Sequence, residues 1–385
     1  MRRLLIMLFL LLVLGLHTSA AQTAQKKGAP AAANQKKTAT QKLAKLIEPW
    51  PTPDVIQTRK TDAERRALFQ SADPLVFTIE SDFGAVNKDR NPESTQQFPA
   101  LLKVAGAGGQ PASFPIKIGA RGHVRRMSQT CNFVPLRLEF PEDGLKGTPF
   151  EGRSETLKLV THCQNSKESD QYVLREFLAY KISNIMLERS FRARLATVTY
   201  VDSKNSKTLM TRNGVLLEDD GDVARRLGGR TVTVERLVFK DLEIEPLTQL
   251  MVFEFMLGNT DFSIFALHNV VLVQTPDNKI HPVPYDFDMS GLVRPPYAAG
   301  DRRLGLKSVE ERLYRGPCRT KEELDAVFAK FKAKKDEVLS AINTQAGLET
   351  EPRREMVSYL NEFYSTLDRP GSVKRFFIDG CKTAM

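Results

Sequence analysis

Three short runs decide how this chain reads: Leu257-Gly258-Asn259-Thr260-Asp261, His268-Asn269-Val270-Val271-Leu272 and Pro284-Tyr285-Asp286-Phe287-Asp288. Leu250, Phe253 and Leu257 recur at helical spacing after Pro246, a good first-turn residue, and Gly258 is a usual stop. A helix therefore ends by delivering Asp261 into a loop. Asn269 stands at the mouth of an apolar strand. After the Pro276-Asp277-Asn278 turn a second strand ends on Asp286 and Asp288. A hairpin over 269–283 brings Asn269 and Asp286 close in space.

That set suits phosphoryl transfer, which depends on positioning and charge neutralisation more than on covalent chemistry by the protein. Asp261 is the candidate to orient an attacking hydroxyl and accept its proton. Asn269 and Asp286 are candidate oxygen ligands for Mg²⁺ or Mn²⁺, with Asp288 a further ligand or a structural acid. Taken singly, each acid also reads as an ordinary turn or cap residue. No Gly-x-Ser-x-Gly elbow, His-Glu-x-x-His pair or Walker lysine loop is present, so serine-esterase, zincin and P-loop chemistry lack support. A glycosidase using two of the acids is an alternative.

Upstream, residues 75–79, 134–140, 156–160, 196–201 and 214–217 read as strands. Residues 101–104 and 114–118 flank Gly106-Ala107-Gly108-Gly109, a hairpin turn whose bare backbone suits covering phosphates, or a turn and nothing more. Leu174, Leu178, Ile182 and Ile185 predict an amphipathic helix reaching residue 188, capped by Ser169 and Asp170. Two more helices are predicted over 320–342 and 353–367, the first opened by a Thr320/Glu323 capping box. Strands precede helices, which is the pattern of an α+β domain: a strand-rich N-terminal half and a mostly helical C-terminal half.

At the start, Arg2 and Arg3 precede an apolar run over 4–16 and small residues over 18–21, the order of a cleavable signal peptide spanning 1–21. A retained anchor is the alternative, although the run is shorter than the ~20 residues of a span. No later segment is long and apolar enough to cross a bilayer, so the expectation is a secreted or periplasmic protein without a membrane span after cleavage. Residues 22–53, poor in large apolar side chains, read as a disordered linker. Residues 54–385 read as one domain, strand-rich over about 70–218 and helical over about 219–385. The net charge is +10, from 56 Lys+Arg against 46 Asp+Glu. Much of the excess lies in the N-terminal tail and in the pairs Arg125-Arg126, Arg225-Arg226 and Arg302-Arg303, read as solvated surface. No basic-aromatic array is present, so no specific nucleic-acid partner is expected.

Four cysteines in an exported chain suggest two disulfides, and proximity in sequence favours Cys131–Cys163 and Cys318–Cys381. The rival is a metal site from His123, Cys131, His162 and Cys163, whose spacing matches no zinc pattern.

Gly258-Asn259-Thr260-Asp261, Asn269 and Tyr285-Asp286-Phe287-Asp288 resemble the loop-and-metal region of the CotH (spore-coat protein H) family of atypical, secreted protein kinases. They are more distantly similar to HipA-like and phosphatidylinositol-kinase-like folds. Ile118-Gly119-Ala120-Arg121-Gly122 is similar to the family's Arg-Gly element, residues 174–180 to its helix motif, and residues 214–218 to its strand ending in a glutamate. The resemblance covers about residues 75–290, in order. It implies an atypical protein-kinase-like fold that uses ATP and Mg²⁺ or Mn²⁺ and acts on a protein substrate. By it, Asp261 is the catalytic aspartate, and Asn269 and Asp286 are metal ligands. Lys158, paired with Glu176, and Arg121 are then candidate nucleotide contacts, with Glu218 ending its strand nearby. The chain departs from the HipA-like pattern in placing eight positions between Asp261 and Asn269. A kinase-fold binding or scaffold protein without turnover is the alternative.

Overall fold

Strand β1 (Leu75–Ser81) buries Leu75, Phe77, Ile79 and Ser81 and turns the residues between them outward, the period of two that a half-buried strand requires. It pairs antiparallel with β2 (Phe98–Ala105), which pairs with β3 (Pro111–Ala120), then β4 (Leu136–Glu139) and β5 (Thr156–Val160). Two later strands, β6 (Ala193–Asp202) and β7 (Lys207–Leu217), complete the circuit in the order β1-β2-β3-β4-β5-β7-β6. Leu75 to Ser81 lies parallel to Ala196 to Asp202, and this non-local pairing closes a barrel with no free edge. Phe77, Leu102, Ile118, Leu138, Leu159 and Tyr200 are among the side chains that fill it.

The computed structural model describes residues 39–106, 109–141, 145–152, 156–234 and 237–382. The expected signal peptide and most of the expected linker lie outside the described residues. Residues 37–385 form one compact unit. Within the stretch expected to be linker, residues 39–47 form helix α1 (Ala39–Ile47), and the Arg230 guanidinium lies 4.1 Å over the Trp50 ring. Helices α2 (Pro53–Glu64) and the one-turn α3 (Phe83–Val86) precede the barrel's middle strands.

Between β5 and β6 runs α4 (Lys167–Met186). It is not amphipathic as predicted. Every residue from Val173 to Tyr180 is buried, because the helix is covered by the barrel on one side and by later helices on the others. It also starts earlier than predicted, after Ser166, leaving Ser169 and Asp170 inside the first turn. There Ser169 Oγ accepts from Gln164 N at 3.1 Å and Asp170 Oδ1 from Asn213 N at 3.0 Å.

The second half is mainly helical: α5 (Asp220–Arg226), α6 (Ile244–Leu257), α7 (Lys321–Ala333), α8 (Lys335–Asn343), α9 (Thr350–Asp368) and α10 (Pro370–Val373). The helix expected over 320–342 breaks into α7 and α8 at Lys334, while its Thr320/Glu323 capping box forms in both directions. A small sheet holds β8 (Arg230–Val232), β9 (Val270–Gln274) and β10 (Ile280–Pro284), with β9 in the middle. The predicted hairpin is β9–β10. β8, only three residues long, carries no sequence signal. Among the described residues, no helix is long and apolar enough to cross a membrane.

Both expected disulfides form, Cys131–Cys163 and Cys318–Cys381. The rival metal site is thereby excluded, and His162 instead stacks on Phe133 at 4.5 Å. Two of the three arginine pairs are not solvated surface. Arg125 and Arg126 are buried, Arg225 bonds Asp222 at 2.7 Å, and Arg226 bonds Glu218 at 2.9 Å. Only Arg302-Arg303 is exposed as expected.

Candidate active site

Gly258 ends α6 with φ 63°, and a Cβ there would stand 1.9 Å from the Tyr359 hydroxyl. Only glycine meets both conditions. The turn that follows is pinned from inside. Asn259 Nδ2 donates to Glu254 Oε2 at 2.9 Å, and Asn259 Oδ1 accepts from Asp261 N at 3.0 Å. Burial pushes the Glu254 carboxyl up to about 8, against the pull of the Asn259 hydrogen bond. Arg315 Nη1 donates to the Thr260 carbonyl at 2.7 Å and also to that of Phe262.

The eight positions from Asp261 to Asn269 are absorbed by a small closed turn. Ser263 and His268 exchange backbone hydrogen bonds at 2.9 and 3.0 Å, and Leu267 and Asn269 take φ 51° and 54°. Asn269 thus returns to Asp261. Its Nδ2 donates to the Asp261 carbonyl at 2.7 Å and to Oδ2 at 3.2 Å, which turns its amide oxygen away from that pair. His268 Nε2 lies 3.1 Å from Asp261 Oδ1. Burial raises the Asp261 carboxyl above its ordinary value, with His268 and Asn269 opposing and Asp286 adding.

The β9–β10 hairpin brings in the second acid. Tyr285 N donates to Asn269 O at 3.0 Å, extending the ladder by one step. Asp286 then takes φ 64°, and its N–H donates to the Tyr180 hydroxyl of α4 at 2.9 Å. Phe287 is fully buried against Tyr180 and Phe253, so Asp286 is held between two packed aromatic anchors. Arg121 Nη2, one residue past β3, stands 3.7 Å from Asp286 Oδ2. Asp288 is buried and accepts from the Tyr297 hydroxyl at 2.9 Å. Burial first and the Asp286 charge second push its carboxyl up to about 7.

Arg121, Asp261, Asn269, Asp286 and Asp288 line one cleft of about 310 Å³ between barrel and helices. At its back, Glu176 of α4 faces Arg125 at 3.9 Å. Burial, then Asp288 and Asp286, hold the Glu176 carboxyl well above its usual range despite Arg125 and Arg121. Two expected partners are elsewhere. Lys158 does not pair with Glu176: its Nζ bonds Asp220 at 2.7 Å and lies 4.2 Å over the Tyr285 ring. Glu218 is buried, with its carboxylate held by Arg192 at 2.6 Å and Arg226 at 2.9 Å. The glycine-rich turn between β2 and β3 includes residues 107 and 108, which lie outside the described residues.

Arg125, Tyr180, His268 and Tyr297 escaped sequence reading as site residues. Arg125 carried one signal, its place four residues after Arg121, outweighed by its Arg126 neighbour. Among the described residues, no three His, Cys, Asp or Glu side chains converge as a ready metal cage. Mg²⁺ needs less, since one or two carboxylates with waters and substrate phosphates suffice. Asp286 and the Asn269 amide oxygen fit that role. The raised carboxyls of Asp261, Asp288 and Glu176 fit it too: burial raises them first, and the neighbouring acid charges that add to it are what a bound cation would offset.

No family model matches this chain, and no curated protein does. Among solved structures, a proinflammatory kinase of Helicobacter pylori is similar over 59% of this chain and 90% of its own, at 10% identity and a TM-score of 0.33. A likeness that slight assigns neither fold nor function.

Proposed function

We propose that this chain is an exported atypical kinase of the CotH type, moving the γ-phosphate of ATP to a hydroxyl of a protein substrate. The observation that carries the reading is Asn269 bonded to Asp261 at the mouth of a hairpin whose returning strand brings Asp286 to the same cleft. Asp261 accepts the proton of the attacking hydroxyl as its oxygen bonds the γ-phosphorus, and ADP leaves. Its raised basicity suits that task. Asp286 and Asn269 hold Mg²⁺ or Mn²⁺, which supplies neutralisation of the phosphate charge. Arg121 grips phosphate oxygens from the barrel side. Tyr285, which lines the cleft, and Lys158, whose Nζ lies 4.2 Å over the Tyr285 ring, are the further nucleotide contacts. The two disulfides accord with an oxidising compartment, and hence with export.

A binding module without turnover is the second reading. The missing Lys158–Glu176 pair favours it, since Lys158 Nζ bonds Asp220 instead. One assay separates the two: labelled ATP with Mg²⁺ or Mn²⁺ and a generic protein acceptor, wild type beside Asp286→Ala. Metal-dependent transfer that vanishes in the variant supports the kinase. Nucleotide binding without transfer supports the module. Neither binding nor transfer by folded protein overturns both.

A further inference from the structure

Arg315 has no part in the proposed chemistry, yet it grips the chain on both sides of Asp261. Its Nη1 donates to the Thr260 carbonyl at 2.7 Å and to the Phe262 carbonyl. The Asp261 carbonyl between them accepts from Asn269 Nδ2 at 2.7 Å. Three consecutive carbonyls are thus taken, the outer two by one nitrogen of Arg315 and the middle one by Asn269. We infer that Arg315 is a positioning residue for Asp261, fixing the backbone from which its carboxylate meets the cleft. The consequence for phosphoryl transfer rests on the kinase reading; the hold on the loop does not.

The partners of Arg315 set it apart from a surface arginine. Asp301, Glu254 and Asp261 reach it by charge alone, while its hydrogen bonds go to the two backbone carbonyls. Burial is the largest influence on the guanidinium and lowers its pKa against the pull of those acids. A desolvated cation spent on neutral carbonyls makes strong bonds to them, because the donor is charged. Its stem is fixed from behind. The guanidinium lies 5.1 Å over the ring of Phe262, which is buried. The next residue, Gly316, is pressed against α6: a Cβ there would stand 2.8 Å from that of Met251. Gly316 O also accepts from Lys382 N at 2.9 Å. Tyr314, on the other side, is buried with its ring 5.0 Å from that of Phe377. Arg315 therefore reaches the Asp261 loop from a backbone anchored on both sides. His268 and Asn269 bond the Asp261 carboxylate, and Arg315 holds the chain that carries it. A base displaced by ~1 Å loses about 100-fold in rate, so a loop that carries one needs such a hold.

The test uses the full chain and two readouts, only one of which needs turnover. Hydrogen exchange is followed at the amides of Ser263 and His268, which bond each other's carbonyls across the turn after Asp261. In Arg315→Ala these amides should exchange about tenfold faster, with those of α6 and the barrel as in wild type. Unchanged exchange at the turn overturns the proposal whatever the activity. Faster exchange throughout the fold overturns it too, because Arg315 would then support the whole structure and not this loop. The second readout is transfer of labelled phosphate from Mg-ATP to a generic protein acceptor. Here kcat should fall about 100-fold in Arg315→Ala and about tenfold in Arg315→Lys, whose ammonium keeps its donors on a shorter stem. The KM for Mg-ATP should stay within about twofold in both, since nucleotide contacts are untouched. An unchanged kcat, or kcat and KM worsening together, overturns the positioning role. Transfer absent from wild type itself counts against the kinase reading, and the exchange result then decides alone whether Arg315 holds Asp261.

Discussion

Asn269 Nδ2 bonds both the carbonyl and the carboxylate of Asp261, at 2.7 and 3.2 Å, across eight positions of chain. The amide does two things there: it fixes the Asp261 carboxylate and aims its own oxygen elsewhere. Asn269→Gly keeps the left-handed backbone at φ 54° and removes only the amide. Metal-dependent transfer is expected to fall about 10- to 100-fold, read as a shifted Mg²⁺ titration in single-turnover assays. Asn269→Ala should also lose about 1 kcal/mol of stability in urea, because alanine resists that backbone. Wild-type transfer by the glycine variant would remove Asn269 from the site.

Asp288 makes stability depend on pH. Its carboxyl ionises at about 7 in the fold against an ordinary 3.8, so between these values the folded chain holds a proton that the unfolded chain has lost. The stabilisation is complete below the ordinary value and disappears as pH rises through about 7. Glu176 acts in the same direction, and Glu254 extends the window to about 8. The melting temperature should therefore fall from mildly acid to mildly alkaline pH. Asp288→Asn, permanently neutral and still an acceptor for Tyr297, should show a shallower fall. Equal slopes in the two proteins would mean that Asp288 is ionised throughout.

The parts of this site set by local chemistry were legible. A glycine after a helical stripe, an Asx-rich turn and two acids after a strand marked the α6 end and the β9–β10 hairpin. What depends on distant pairing was not. Barrel closure needs Leu75 beside Ala196. Lys158 sits on a strand whose outer face is set by that closure, which turns it to Asp220 instead of Glu176. Arg125 and Arg126 read as surface charge, because an arginine is buried only where acids and carbonyls from other segments meet it. For Arg126 these are Asp89, Pro92 and Ser94. The eight-position spacing read as a departure, and the Ser263–His268 bridge makes it a local loop that leaves the Asp261–Asn269 contact in place.

Gly258 couples the helix end to Tyr359. Gly258→Ala meets a hydroxyl 1.9 Å from its Cβ as well as a backbone at φ 63°. The expected loss is about 2–4 kcal/mol in denaturant unfolding, part steric and part conformational. Tyr359→Phe removes the clashing oxygen and with it a 3.1 Å bond to the Glu310 carbonyl. In the double variant the steric part should return, leaving about 1–2 kcal/mol from the backbone. Strict additivity of the two losses would show that the hydroxyl is not what the new methyl meets.

The two disulfides should separate stability from activity. Cys131–Cys163 spans a sequence separation of 32 and Cys318–Cys381 one of 63, so loop entropy gives each about 3–4 kcal/mol. Their surroundings differ. Cys163 O accepts from Asn132 N and Phe133 N at 2.9 and 3.2 Å, so the first bridge anchors the loop that carries Arg121 and Arg125 into the cleft. The second joins the C-terminal segment to the stretch before α7, where Lys382 N donates to Gly316 O at 2.9 Å. Replacing either pair by alanine should lower stability by similar amounts in urea unfolding. Only the Cys131→Ala/Cys163→Ala protein should also bind Mg-ATP more weakly at a temperature where both variants remain folded, by about tenfold, because its two arginines lose their fixed position. Equal ATP affinity in the two variants would show that the β3–β4 loop holds its arginines without the bridge.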